Sequence, residues 1–242
     1  MSNRLTPIPP ATGAVDLSRR STRPEVMDDP ALDPAIYARC ISDLAKVNQI
    51  TFTHRPVLRW LAAVAPAGGV SVLDVAYGDG DLLRAIGRWA ARRGIDMRLS
   101  GVDLNPRSAV AARAATPPDL TIAYLTGDVF DFAPDPKPDF IVTSQFTHHL
   151  DDAQLVRLLG WLDRTAVRGW LITDLHRHAL PYYGFRVLAR LMGWHDIVVS
   201  DGTISIARSF RRADWEAALA AAGVRAEIKW RFPFRYVVSR VR

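Results

Sequence analysis

The sequence has a single cysteine, Cys40, so no internal disulfide framework and no thiolate metal cage can form. That scarcity fits a reducing, cytoplasmic setting, with Cys40 expected as a small buried hydrophobe. No run of about eighteen apolar residues occurs, and nothing in the chain reads as a membrane-spanning helix. The opening MSNRLTPIPPATGAVDLSRRSTRP has no apolar stretch of signal-peptide length. Internal repeats and low-complexity segments are also missing. The net charge is +6, but the arginines are spread along helical patterns rather than clustered. A nucleic-acid footprint is therefore not expected, and solvated helix faces explain most of the basic residues. The charge still allows peripheral contact with an anionic lipid surface.

What is present is a chain of 242 residues, 49% hydrophobic, enough for one large α/β domain and an extension. Residues 1–30 are rich in Pro, Ser, Thr and Arg and read as a mobile or surface-draped arm. Residues 31–66 carry two helices that cap the site. The first runs from Pro34, with Ile36, Tyr37, Cys40, Ile41, Leu44 and Val47 at three- and four-residue steps, and the second covers about Arg55 to Ala65. From 67 to 242 strands and helices alternate, which predicts a parallel sheet with crossovers. Strands are expected at Val70–Val75, Arg98–Val102, Leu120–Leu125, Phe140–Ser144 and Trp170–Thr173. The intervening helices are Asp81–Arg93, Arg107–Ala115 and Asp151–Val167. After the helix Arg211–Ala222, the runs Arg225–Trp230 and Tyr236–Arg240 lie too close in sequence for a crossover, so they pair as a hairpin. An aromatic insertion occupies 181–205.

The stretch VLDVAYGDG joins a strand to a helix through a glycine turn, where free N–H groups and the positive helix end converge. Its pattern D-x-A-x-G-x-G fails the dinucleotide fingerprint at the third glycine, where Leu83 stands, and lacks the Lys-Ser/Thr of a phosphate loop. Asp74 before the glycines suits a cationic amine. About twenty residues on, Asp103 ends the second strand, placed to accept both hydroxyls of a ribose. Gly127-Asp128-Val129 follows the third strand and offers a carboxylate and an N–H for an adenine edge. Together these point to a nucleoside with an amino-acid end.

With VLDVAYGDG, GVDLNP, GDVFD and DFIVTSQFTHHL in this order, the chain resembles the class I S-adenosylmethionine-dependent methyltransferases over about Val57 to Arg242. The resemblance implies a Rossmann-like, doubly wound, mostly parallel seven-stranded sheet with an antiparallel C-terminal hairpin strand and an N-terminal helical cap. It implies S-adenosyl-L-methionine as cofactor, with Asp74, Ala76, Gly78 and Gly80 around the methionyl end. Asp103 would hold the ribose, Leu104 beside it would also bind the cofactor, Asp128 and Val129 would meet the adenine, and Ser144 and Gln145 the other side of the methionine. The chain departs from the family at Ala76-Tyr77, where a glycine and a small residue are usual. An alanine fits there if its φ is negative, and Tyr77 is expected to turn outward beneath the N-terminal helices.

Methyl transfer to a hydroxyl needs alignment and a base, beyond the carboxyl ends of the strands. His148 and His149 follow the fourth strand, and His176 and His178 the fifth; His176, His149 and His148 are the candidate bases, with Asp174 two residues away to orient His176. No metal is expected, because the fourth strand ends Val142-Thr143-Ser144-Gln145 without an acid and H-x-H alone lacks further ligands. TSQF has no proline pair to grip a flipped base, which disfavours an RNA substrate. Tyr182, Tyr183, Phe185, Met192 and Trp194 suggest an apolar lid, opposite a wall of Tyr37, Asn48, Phe52 and Arg55. The expected acceptor is a small aromatic molecule, phenolic or quinol-like, with a homodimer open as an assembly. The competing expectation is a methyltransferase-fold protein whose altered loop serves a non-methylating reaction or a non-catalytic partner role.

Overall fold

The computed structural model describes residues 15–29, 31–66 and 68–242. The first fourteen residues of the arm lie outside the described residues, as do Pro30 and Ala67. From Val15 the arm runs over the surface as far as a 3-10 turn at Val26–Asp28. Arg20 anchors it by donating to the carbonyls of Arg208 and Leu150 at 2.8 Å each, and Ser21 N–H donates to Ala207 O at 2.9 Å.

α1 (Pro34–Ile50) starts where the Asp33 carboxylate accepts from Ala35 and Ile36 N–H, with Pro34 filling a position that needs no donor. α2 (Arg55–Val64) buries Val57 and Leu61. Alternation follows with β1 (Val70–Val75), α3 (Asp81–Arg93), β2 (Met97–Asp103) and α4 (Pro106–Ala115). β3 (Ile122–Thr126) begins two residues later than the alternation predicts, because Leu120 N–H closes a turn onto Pro117 O. β4 (Phe140–Ser144) leads through a 3-10 turn at Thr147–His149 to α5 (Asp152–Thr165). Asp151 is the cap of α5 rather than part of it, since its carboxylate takes Gln154 N–H while Gln154 Oε1 accepts from Asp151 N–H. β5 (Gly169–Leu175) completes the parallel set.

The segment expected as an aromatic insertion is a pair of helices, α6 (Ala179–Leu191) and α7 (Asp196–Arg208). His178 and His195 cap them through Nδ1, accepting Leu180 and Ile197 N–H. Tyr182 and Trp194 are buried, while Tyr183 and Met192 are half exposed. Trp194 packs with Ala189 and Val198 against Cys40 and Val47 of α1; the Cys40 thiol is fully buried and pushed up to about 11, chiefly by burial. The chain ends with α8 (Arg212–Ala222), β6 (Glu227–Arg231) and β7 (Arg235–Val241).

The seven strands stand in the order β3-β2-β1-β4-β5-β7-β6, with β7 antiparallel to both neighbours, the Rossmann-like arrangement the alternation and the hairpin imply. One face carries α2 and α3 through Val57, Leu61, Leu83 and Ile86. The other carries α5 and α8 through Leu158, Leu162, Trp215 and Leu219. Fully buried Trp170, Trp215 and Phe210 lock the second layer, each contributing on the order of 2 to 3 kcal/mol by burial. Because β1, β2, β4 and β5 run parallel, their carboxyl ends bring residues 74–80, 103–105, 144–149 and 174–178 to one rim.

Candidate functional site

The turn after β1 alternates in hand: Ala76, Gly78 and Gly80 have φ of 59°, 58° and 77°. The condition of a negative φ, under which an alanine would fit at 76, is therefore not met, because the backbone keeps the left-handed shape a glycine would adopt. Ala76 N–H donates to Val102 O at 2.8 Å and Gly80 N–H to Tyr77 O at 2.8 Å, which fixes that shape. Tyr77 does not turn outward. Its ring is buried, centred 5.0 Å from the Tyr124 ring, in the space above Gly101 and beside Leu83. The ring thus belongs to the core between α3 and β2 rather than to the open side of the turn. Its hydroxyl has no partner and is pushed up to about 12, first by burial and then by the Asp103 charge.

Asp103 closes the turn from the β2 side, one oxygen accepting Gly78 N–H at 2.9 Å and the other Asn105 N–H at 2.8 Å. Burial nevertheless raises its pKa above the ordinary range. Asp74 lies at the foot of the turn, 2% exposed, with Oδ1 unpartnered. Burial, then the nearby charges of Asp81 and Asp103, pushes its carboxyl well up.

Asp74 pairs beside Val142, Ser144 beside Thr173, and Thr173 beside Val237, so strand alternation puts Asp74, Ser144, Thr173 and Arg235 on one sheet face. Asp74 Oδ1, Ser144 Oγ, Thr173 Oγ1 and Arg235 Nε and Nη1 are all buried without hydrogen-bond partners among the described residues. Arg235 Nη2 is held by the hydroxyls of Thr51 at 2.7 Å and Thr53 at 2.6 Å. Burial brings its guanidinium down to about 10, opposed by Asp174. These unsatisfied buried groups run across the face from β1 to β7, and the acid at the β1 end is a natural partner for a ligand's ammonium. Above it, Gln145 (φ 55°) donates to Asn48 at 2.7 Å, Asn48 donates to Asp81 at 2.7 Å, and His54 Nε2 lies 3.0 Å from Asp81. Asp81 is partly buried, yet these contacts hold its pKa below the ordinary range.

The histidines divide differently from the expectation. Asp174, fully buried, does not orient His176. Its Oδ2 accepts from the Thr147 hydroxyl and His148 N–H, while Oδ1 lies 2.8 Å from His148 Nδ1. These contacts outweigh burial and lower its pKa. His176 instead accepts the Trp230 indole N–H at 3.3 Å and packs edge-on against Tyr236. Burial and the positive charges around it bring it down to about 4. His148 and His149 stack with centroids 4.4 Å apart, and the arm lays Glu25 against both. Burial pushes Glu25 up to about 7, although His149 and Ser205 oppose this.

Of the remaining expected contacts, Leu104 is 71% exposed and free to meet a ligand, Asp128 is exposed with Oδ1 accepting Phe130 N–H, and Val129 is buried. Arg55 stacks on the Phe52 ring at 3.7 Å and has no ion pair among the described residues. A cavity of about 790 Å³ lies beneath the arm, lined by Arg20, His148, Leu155, Arg177 and Arg208; none of the turn residues 74–80 reaches it. Glu25, His54, Asp81, Thr173 and Arg235 escape the sequence reading. Only Arg235, a lone charge entering the apolar run RYVV, leaves a sequence signal.

A family model described as a methyltransferase domain matches residues 72–169, from β1 to the first residue of β5. No curated protein matches the chain. Among solved structures, a methyltransferase from Aquifex aeolicus described as SAM dependent aligns with a TM-score of 0.59 at 18% identity, over 86% of this chain and 97% of that one. Magnesium protoporphyrin IX methyltransferase from Synechocystis PCC 6803, crystallised with SAH, aligns with a TM-score of 0.55 at 16% identity, over 88% and 90%. Mitomycin 7-O-methyltransferase aligns with a TM-score of 0.56 at 20% identity, over 80% of this chain and 54% of that one. At these identities the likeness is one of fold.

Proposed function

We propose that this chain, which carries a methyltransferase domain in the class I S-adenosylmethionine-dependent methyltransferase fold, transfers a methyl group from S-adenosyl-L-methionine to a small hydroxyl acceptor. The carrying observation is Asp74, a buried carboxyl with an unpartnered oxygen at the foot of a turn whose φ pattern is left-handed at three positions. An isolated buried carboxyl is costly unless a ligand completes it, and an ammonium is the natural complement. S-adenosyl-L-methionine, when bound, supplies an electrophilic methyl on a sulfonium.

The residues present fit that group. Asp74 and Ser144 meet its amine, and Gly78, beside which a side chain would find open space, leaves the backbone free to the methionyl chain, with Gly80 closing the turn. Asp103 holds the ribose, Leu104 and Val129 flank the adenine, and Asp128 reads its amino group. Asn48 and Gln145, tied together, close the site from above.

The acceptor hydroxyl is oriented and deprotonated at the His148–His149–Glu25 centre. The reading of the acceptor as phenolic or quinol-like is supported by Tyr182, Tyr183 and Phe185 of α6, and by small-molecule methyltransferases among the structural neighbours. Two measurements test the proposal. Titration calorimetry with S-adenosylhomocysteine should give one site per chain, and its failure removes the cofactor assignment. Labelled methyl donor offered with a panel of phenols and quinols should label at least one; binding without any transfer removes the acceptor class.

A further inference from the structure

We infer that Glu25, His148 and His149 form a binding site for one divalent ion of the zinc class, leaving an open coordination position for an oxygen of the acceptor. The position of that oxygen rests on the methyltransferase reading, whereas the ion site does not.

The arm delivers Glu25 to a defined place. Asp201 of α7 accepts the N–H groups of Val26 at 3.0 Å and Met27 at 2.9 Å, and Ser205 Oγ donates to Glu25 Oε1 at 2.8 Å. The two imidazoles then face this carboxylate in the same sense. His148 points Nδ1 at Asp174 (2.8 Å) and Nε2 at Glu25 Oε1 (3.6 Å). His149 points Nδ1 at Asp28 (3.4 Å) and Nε2 at Glu25 Oε2 (3.9 Å). A carboxylate on each Nδ1 draws the ring proton outward and leaves the Nε2 lone pair facing inward, which is the outer-shell pattern of metal-bound histidines. Two lone pairs and a carboxylate converging on one point repel unless a cation stands between them.

The spacing fits such an ion. Zinc ligand distances of about 2.0–2.2 Å put neighbouring tetrahedral ligand atoms about 3.4 Å apart. The 3.6 Å from Glu25 Oε1 to His148 exceeds that by about 0.2 Å, the 3.9 Å to His149 is made by the other oxygen, Oε2, and one ligand atom from each residue lies within 4.8 Å of the others. His149, with its side chain 28% exposed, has room to close the remainder. Two histidines and one glutamate form a three-ligand set of the kind that keeps a fourth position for an oxygen. H-x-H at 176–178 supplies no such site, because both rings are spent on Trp230 and the α6 cap.

The test is titration of tag-free, chelator-treated protein with cobalt(II), read by its visible d–d absorption, with zinc competition. One equivalent per chain is expected. Glu25→Gln and His149→Ala should each weaken uptake by at least about 100-fold, and Asp174→Asn by about 10- to 100-fold, with circular dichroism and S-adenosylhomocysteine binding unchanged. Absent uptake in the unsubstituted protein, or uptake in Glu25→Gln or His149→Ala as tight as in the unsubstituted protein, overturns the site. Cobalt failure with nucleoside binding intact removes the ion alone; nucleoside failure with cobalt uptake intact removes the methyltransferase reading alone.

Discussion

The Tyr77 ring occupies the space that a side chain at Gly101 would need: a Cβ there would stand 2.5 Å from Tyr77 Cδ1. The large residue in the turn and the missing one on β2 are therefore one feature. It lies two residues before Asp103, so the ring props the strand end that presents the acid.

The two positions should couple. Tyr77→Cys empties a buried site and is expected to cost about 2 to 4 kcal/mol. Gly101→Ala is expected to cost about 1 to 3 kcal/mol through overpacking. In the double variant the alanine partly fills the vacated space, giving a coupling of about 1 kcal/mol or more in a chemical-denaturation cycle. Tyr77→Phe deletes only the unpartnered hydroxyl and should raise stability by about 1 kcal/mol. Additive losses would show that the ring and Gly101 do not meet.

Ala76 holds a left-handed φ of 59°, a conformation costing an L-residue about 1 to 2 kcal/mol. Glycine loses more chain entropy on folding, which offsets part of the gain. Ala76→Gly should raise the unfolding free energy by about 0.5 to 1 kcal/mol, and a fall in Tm would contradict the strained backbone.

What the sequence reveals and conceals follows from distance along the chain. The turn, Asp74 and Asp103 are legible because strand, turn and helix are contiguous and β2 ends one crossover later. The sign of φ at Ala76 is hidden, since alanine ordinarily avoids that region. Asp174 and His176 sit two apart on one strand and look like partners, but the 3-10 turn after β4 presents two donors and a ring nitrogen to that carboxylate together. Glu25 is invisible as a site residue, because only the folded arm, pinned by Asp201 and Ser205, carries it to the histidines.

His176, at about 4, should remain neutral through the working pH range, and its imidazole resonances should shift only below about pH 5. The unfolded chain has a histidine near 6.5, so it binds more protons between the two values. The contribution of this group is thus complete above about pH 6.5 and lost as pH falls through 4. His176→Gln should remove that acid sensitivity from the melting curve and leave the pH–rate profile unmoved. A displaced rate profile would return His176 to the list of bases.

Asp103 faces the rim with both oxygens on backbone N–H groups, so its geometry is set before any ligand arrives. Hydrogen bonds to a charged group contribute about 1.5 to 3 kcal/mol each. Asp103→Ala should weaken S-adenosylhomocysteine binding by at least about tenfold in calorimetry. Unchanged affinity would detach this carboxylate from the ribose.

Asp74 gives the sharpest electrostatic consequence. Its carboxyl is pushed well above the ordinary range by burial and by Asp81 and Asp103, so the free protein holds a proton there to higher pH than the unfolded chain does. The folded state then binds the extra proton, and stability from this group falls as pH rises above the unfolded value near 3.8. An ammonium placed against the carboxylate reverses the preference, expelling the proton and making nucleoside affinity climb with pH. The apparent binding enthalpy, compared between two buffers across a pH series, should therefore differ in proportion to the difference in their ionisation heats at every pH where the free Asp74 holds its proton. Asp74→Asn should abolish that difference and weaken the ligand. Equal enthalpies at every pH of the series would mean that the amine does not lie against Asp74.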